Sequence, residues 1–231
     1  MQGMLMRMLW RSKTRCWAVF TALVAILAVL AGCATQVNTK PDPIAQPQPV
    51  VEGPSVSRFD NSREGFIINE VAGLSDASRR DFDNAVTMLH EKAYGQAIEL
   101  LEKVVNRSPG VTAPYINLGM AYQQIGKLEQ AEVQFKVALE MFPDHPVACN
   151  QYGLLYRKTG RFDEARKIYE QSLASFPDYY PLHRNLGILC DLYLKDLETA
   201  LAHYEIYSQA MPEDDNVKLW VADLRARLGK N

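Results

Sequence analysis

Residues 112–145 read TAPYINLGMAYQQIGKLEQAEVQFKVALEMFPDH, and residues 146–179 read PVACNQYGLLYRKTGRFDEARKIYEQSLASFPDY. Laid one over the other, the two stretches agree in size class at each internal position that matters for helix packing. Leu118, Gly119, Tyr122, Ala131, Phe135 and Ala138 of the first fall on Tyr152, Gly153, Tyr156, Ala165, Tyr169 and Ser172 of the second. Gly and Ala let two helices approach to small interaxial distances, and the large residues fill the space between a pair and its neighbour. Gly126 and Gly160 fall where the first helix of each stretch ends and can supply the positive φ of a helix C-cap. Pro143 and Pro177, each followed by Asp, close the second helix and begin the next turn.

Working outward, Pro109, Pro143 and Pro177 recur every 34 residues, and Pro212 follows after 35. The unit that ends at Pro212 offers Leu186, Gly187, Ala200, Tyr204 and Tyr207, with one extra residue near Leu194 and Lys195 stretching its turn. The unit that ends at Pro109 is degenerate, with Ala85, Met88, Ala97, Leu101 and Val104 in the small and large places. A 34-residue period is a helix-turn-helix spacing. On these residues the chain resembles the tetratricopeptide repeat family. The resemblance implies an all-α fold: a right-handed α-solenoid of about four units over residues 78–212, divided at about 78–111, 112–145, 146–179 and 180–214. Residues 215–231, with Val217, Leu219, Trp220, Leu224 and Leu228, read as a terminal helix covering the last apolar face of the array.

The other end of the chain has a different character. Of the 25 basic and 27 acidic residues, Arg7, Arg11, Lys13 and Arg15 lie in residues 1–32, which hold no acid, so the body carries about −6. A body of that sign argues against nucleic acid as a partner, because phosphates need a basic stripe to neutralise them. Trp17 to Ala31 is a run of 15 residues, apolar apart from Thr21. That is shorter than the roughly 20 residues of a membrane span and fits the apolar region of a signal peptide. Leu30, Ala31, Gly32 and Cys33 resemble the cleavage motif of bacterial lipoproteins. The resemblance implies a signal peptide over 1–32, lipidation (including palmitate-type acylation) of Cys33, and a lipid anchor to a membrane. Ala34 stands where an inner-membrane retention signal would carry Asp, so the expected location is the periplasmic face of the outer membrane.

Residues 33–57 hold the lipidated cysteine and then Pro41, Pro43, Pro47, Pro49 and Pro54 with little periodicity. Such a stretch reads as an extended tether, with a full reach on the order of 70 Å at about 3.1 Å per residue. Residues 58–77, with Phe59, Phe66, Ile67, Ile68, Val71 and Leu74, read either as an N-terminal cap on the first helix pair or as a segment that occupies the domain's own groove.

Enzyme chemistry is not expected. G-x-S-x-G, Walker A, G-x-G-x-x-G and H-E-x-x-H motifs are missing, and His90, His145, His183 and His203 show no metal-ligand spacing. No catalytic residue, metal, cofactor or small-molecule substrate is therefore anticipated. His145, between two prolines, reads as a surface histidine, and Glu213, Asp214 and Asp215 as the charged start of the last helix. Cys149 lies early and Cys190 late in the first helices of adjacent units, about 10 Å apart along the axis. That is too far for a disulfide, so both read as buried thiols.

The family resemblance also implies a concave groove lined by the first helices, which binds a protein partner. Its positions fall on Ile116, Asn117, Met120, Gln123 and Gln124 in the second unit, and on Asn150, Gln151, Leu154, Arg157 and Lys158 in the third. In the fourth they fall on Arg184, Asn185, Ile188 and Asp191. The amides Asn117, Gln151 and Asn185 could pair with an extended peptide backbone beside the apolar Met120, Leu154 and Ile188. Of the carboxylate-clamp positions of chaperone-binding members only Asn117 agrees, so a clamp for an acidic C-terminus is not expected. The function these features imply is a lipid-anchored interaction scaffold, as in lipoproteins of similar build that assist pilus or secretion assembly. The alternative is an adaptor for cell-envelope enzymes or an ExbB/TonB-like energy-transducing complex.

Overall fold

The structure is a computed structural model that describes residues 73–230 and, ahead of them, the backbone of two short strands. Strand β1 (Ser55–Arg58) pairs antiparallel with β2 (Phe66–Asn69), Ser55 opposite Asn69 and Arg58 opposite Phe66. This hairpin takes in the last residues of the stretch expected as tether and part of the expected cap segment. The signal motif Leu30–Cys33 and the proline-rich stretch up to Pro54 lie outside the described residues.

Among the described residues nine α-helices follow. They are α1 (Asp76–His90), α2 (Tyr94–Arg107), α3 (Thr112–Gln124), α4 (Leu128–Met141), α5 (Pro146–Lys158), α6 (Phe162–Ser175), α7 (Tyr180–Leu189), α8 (Leu197–Ala210) and α9 (Asp215–Arg227). They form four antiparallel pairs, α1 with α2 through α7 with α8, and a single closing helix. Each second helix packs on the first helix of the next pair, and the first helices α1, α3, α5 and α7 also touch one another along one side.

Local chemistry sets the ends. Ser75 caps α1 by accepting from the Ser78 N–H, and Asp196 and Asp214 do the same for α8 and α9. Pro146 and Pro181 sit in the first turn of α5 and α7, where a missing N–H costs nothing. Second helices α4, α6 and α8 stop at Phe142, Phe176 and Met211, each one residue before its proline.

Between the helices of each pair one residue is left-handed: Lys92 (φ 62°), Gly126 (φ 79°), Gly160 (φ 77°) and Lys195 (φ 59°). Two of these four are lysines, which carry a steric cost there that glycine does not. Lys92→Gly is expected to raise stability by about 0.5–1 kcal/mol, as read from urea unfolding. Lys195→Gly should gain less, since Lys195 Nζ donates to the Leu192 carbonyl at 3.0 Å. No gain at position 92 would refute the strain argument. The extra residue of the fourth unit is absorbed upstream of Lys195, where α7 runs into a π-helical turn, Cys190–Leu194.

The core repeats one contact. The Phe135 ring lies over Gly119, Tyr169 over Gly153 and Tyr204 over Gly187, so α3, α5 and α7 each have a window filled by an aromatic ring of the partner helix. Phe135 and Tyr169 are completely buried. At the end of the array Val217 and Leu224 of α9 are buried, and Trp220 lies against Tyr204 with ring centroids 5.3 Å apart. That is the covering helix expected from residues 215–231. Among the described residues no helix is long and apolar enough to cross a membrane, and no group of three or more metal-ligating side chains occurs.

His145 is not on the surface. It is wholly buried, its Nδ1 accepts from the Ala148 N–H at 3.3 Å to cap α5, and its ring meets Phe142 edge-on at 4.9 Å. Cys149 and Cys190 are buried free thiols, as expected, and burial pushes both up, to about 12 and about 11.

Candidate functional site

The side on which α3, α5 and α7 meet carries the residues expected to line a groove. Met120, Leu154 and Ile188 recur one unit apart and are half-buried, so they form an apolar strip along the three helices. Gln123 and Gln151 are half-buried beside it, and Gln124 and Lys158 are exposed. The Gln123 Oε1 is sealed from solvent and has no hydrogen-bond partner. Lys158 Nζ donates to the Gln123 carbonyl at 3.3 Å, which ties the ends of α3 and α5 together.

Several of the expected positions behave differently. Ile116 is 1% exposed and belongs to the core, because α3 is packed between neighbouring helices on more than one side. Asn150 and Asn185 are buried and pair with each other: Asn185 Nδ2 donates to Asn150 Oδ1 at 2.7 Å, an amide bridge between units three and four. Asn117 Nδ2 donates back to the Ala113 carbonyl at 2.9 Å. A ladder of free amides at Asn117, Gln151 and Asn185 is therefore not what the fold presents. The solvent-reaching amides on this wall are those of Gln124 and Gln151.

The charged residues of the wall are arranged more tightly than spacing alone conveys. The Arg157 guanidinium lies 6.0 Å from the centre of the Tyr193 ring, and Arg184 lies 5.4 Å from that of Trp220. Arg184 Nε is 3.8 Å from Asp214 Oδ2, an ion-pair distance beyond hydrogen-bond reach. Asp191 is buried and held by Arg227 Nη1 at 3.1 Å. Outside this wall, Glu132 gathers Lys136, Arg161 and the Tyr152 hydroxyl. Burial works to raise its carboxyl, but those three hydrogen bonds and the Arg161 charge outweigh it and hold it down at about 2.

One further pair had no signal in the sequence. His183 Nδ1 and His203 Nδ1 are 2.8 Å apart, and His183 Nε2 lies 2.9 Å from the Pro177 carbonyl. A 20-residue separation across a turn matches no ligand spacing, and only the α7–α8 packing brings the rings together.

The family model for the tetratricopeptide repeat matches residues 88–140 and 128–187. The array belongs to the tetratricopeptide repeat family. No curated protein matches the chain significantly. Among solved structures, the tetratricopeptide array resembles PilF of Pseudomonas aeruginosa at 20% identity and a TM-score of 0.62, over 67% of this chain and 70% of that one. A thermophilic tetratricopeptide protein of Thermus thermophilus is 26% identical with a TM-score of 0.56, over 64% of this chain and 80% of that one. MamA of Desulfovibrio magneticus RS-1 (residue 41 to its end) is 18% identical with a TM-score of 0.57, over 68% and 89%. These likenesses establish the fold. A tetratricopeptide fold with side chains of this kind on its inner wall suits a protein-interaction scaffold.

Proposed function

We propose that the chain is a lipoprotein scaffold, anchored through Cys33 to the periplasmic face of a bacterial outer membrane, whose inner wall captures an extended segment of a protein partner. The observation that carries the capture is the wall itself. An apolar strip of Met120, Leu154 and Ile188 runs beside Gln123 and Gln151, and the Gln123 side-chain oxygen is buried without a donor. An extended backbone supplies N–H and C=O groups to side-chain amides while its alternate side chains reach the apolar strip. The anchor is supported by the order of basic leader, apolar run, Leu30-Ala31-Gly32-Cys33 and proline-rich stretch. Pilus or secretion assembly is the pathway that lipoproteins of similar build suggest. The scaffold is not an enzyme on this reading.

Both parts are tested in intact cells of the native host. Mass spectrometry of the membrane fraction should find a mature chain starting at an acylated Cys33, and an unmodified Cys33 in a full-length chain would sink the anchor. A photo-crosslinking residue at Gln151 should capture a partner, and the same residue at Val133, exposed on α4, should not. Equal capture at both positions, or none at 151, would remove the groove. Gln151 is preferable to Asn185 for such tests, since changing Asn185 strands the buried Asn150.

A further inference from the structure

Helix α9 closes the array, and a helix with that one task turns polar residues outward. Most of its exposed positions obey: Asp215, Asn216, Lys218, Asp223, Arg225 and Arg227 are polar. Leu219 breaks the pattern at 68% exposure, more than any other large apolar residue described. Its place in the repeat gives the exposure a meaning. The buried Leu182 and Leu189 of α7 recur 35 residues later as the buried Val217 and Leu224 of α9, so Arg184 and Asn185 correspond to Leu219 and Trp220. The inner wall therefore continues onto α9. Trp220 is half-buried and braced on two sides, by the Tyr204 ring at 5.3 Å and by the Arg184 guanidinium at 5.4 Å. Arg184 is itself held towards Asp214, and Arg227 ties the far end of α9 to Asp191, so the α7 and α9 sides of the wall are fixed to one another. The apolar strip reaches this end at Ile188, one turn beyond Arg184 on the same face of α7.

At the earlier places equivalent to Leu219, Ile116 and Asn150 are buried within the array and Arg184 packs on Trp220. Among the described residues no helix follows α9 to cover Leu219 in the same way. A second copy stacked end to end would present α1, whose exposed Arg80, Asp83, Asn84 and Thr87 are polar and do not match an apolar ledge. Charge favours another occupant. Asp215, 86% exposed, stands one turn before Leu219 on the same face, and Glu213 is exposed just ahead of it, in a body of about −6. The pair that Asp215 makes with Lys218 is a surface one and holds it only weakly. We propose that Leu219 and Trp220, at the end of the strip that Ile188 completes, are an anchor subsite for a large apolar side chain of the bound segment, with a Lys or Arg beside that residue lying against Glu213 and Asp215. A braced tryptophan with an aliphatic neighbour is the kind of site that dominates interface energetics. This inference rests on the groove reading and names the partner's chemistry: an extended segment in which a large apolar residue adjoins a basic one.

The test is selection from a random dodecapeptide library on the full chain purified in detergent. The best peptide is then synthesised with its largest apolar residue intact, with that residue replaced by serine, and with a photo-crosslinker at each position in turn. The selected peptides are expected to pair a large apolar residue with Lys or Arg, and a crosslinker at the apolar position should mark the α9 fragment that holds Leu219 and Trp220. Serine in the peptide, or Leu219→Ser in the protein, should each reduce affinity at least about tenfold. Glu213→Gln with Asp215→Asn should weaken binding and flatten its dependence on salt. Leu219→Ser should leave the melting temperature unchanged, because the side chain is largely exposed; a lower one would mark Leu219 as structural and overturn the assignment. Peptides that crosslink near Gln151 but carry no basic residue, or are indifferent to Leu219→Ser, would overturn the subsite and leave the groove standing. A wild-type chain that sediments as a dimer beside a monomeric Leu219→Ser would give the ledge to a second copy and overturn the subsite as well. If no peptide is selected, or none crosslinks near Gln151, the groove reading fails and the subsite fails with it.

Discussion

Gly153→Ala is expected to destabilise the array by about 1–3 kcal/mol, a loss of several degrees in melting temperature for a chain of this size. Alanine is the better helix former by about 1 kcal/mol, so the substitution should help if the helix alone decided the outcome. It does not decide, because a Cβ at 153 would stand 2.1 Å from Tyr169 Cε1 and 2.4 Å from Cζ. Tyr169 is fully buried, and its ring cannot turn away without meeting other core atoms. α5 and α6 must move apart instead, and close-packed interiors resist that. Gly119→Ala, against Phe135 at 2.6 Å, and Gly187→Ala, against Tyr204 at 2.5 Å, should cost somewhat less. Gly95→Ala is the control: a Cβ there meets nothing within 4 Å, so helix propensity wins and stability rises by about 0.5–1 kcal/mol. Urea unfolding followed by circular dichroism reads all four. A Gly153→Ala protein as stable as the wild type would show that the windows are not what holds each helix pair at its distance.

The lesion should also spread. Each unit contacts only its neighbours, so array stability is close to a sum of unit and interface terms. The third unit joins the second to the fourth through α4 on α5 and α6 on α7. Weakening it separates the two halves of the inner wall. Gly153→Ala should therefore reduce partner capture at Gln151 even though neither residue 153 nor Tyr169 faces the groove.

The windows are also why the fold could be read from the chain. A glycine and the aromatic that fills it stand 16 residues apart at Gly119 and Phe135 and again at Gly153 and Tyr169, and 17 apart at Gly187 and Tyr204. That one-residue change is the insertion the π-helical turn absorbs. The left-handed turns were half legible: Gly126 and Gly160 announce themselves, whereas Lys92 and Lys195 take the same conformation under the constraint of their helix pairs. The hairpin of 55–58 with 66–69 follows from backbone pairing that a proline-rich pattern does not reveal.

The inner wall was less legible, for a geometric reason. A 34-residue recurrence says that Asn117, Gln151 and Asn185 occupy equivalent places but not how far each helix is rotated. A small rotation turns Asn185 into Asn150 instead of outward. The flanking prolines of His145 suggest an exposed turn, while its burial comes from Phe142 packing on the imidazole as it caps α5. The unpaired Tyr169 hydroxyl had no sequence signal, since phenylalanine fills the same window in the preceding unit.

Between pH 7.5 and pH 5 the array is expected to lose about 4 kcal/mol of stability, and histidines rather than carboxylates should be responsible. Burial lowers His145 to about 3, since the ring is fully enclosed and its Nδ1 is committed as an acceptor. Burial, and then the proximity of His183, lowers His203 to about 4, against a smaller opposing effect of Asp196. His183 is lowered too, chiefly by burial, with its bond to the Pro177 carbonyl and the Asp178 charge opposing. With His183 Nε2–H donating to that carbonyl, its Nδ1 accepts from His203 Nδ1–H, so His183 is neutral and has no room for a second proton while the pair is intact. These are bases whose folded values lie below the unfolded value of about 6.5. Their contribution is intact above pH 6.5 and is lost as pH falls from there towards 4 and 3, because the unfolded chain takes up protons that the folded chain refuses. Each such histidine costs about 1.4 kcal/mol per pH unit, hence about 2 kcal/mol each for His145 and His203 at pH 5. Glu132 acts in a different window: held at about 2, it stabilises above the ordinary carboxylate range and is lost only as pH falls from about 4.5 towards 2. Urea unfolding at pH 7.5, 6 and 5 reads the loss. His145→Asn keeps a side chain able to cap α5 and cannot titrate, so it should shrink the drop by about 2 kcal/mol, and His203→Gln should do the same. A drop that persists in the double variant would assign the acid sensitivity to other groups, and an unchanged stability at pH 5 would mean that the rings accept protons in the folded state, which the 2.8 Å contact between two Nδ1 atoms does not permit for both at once.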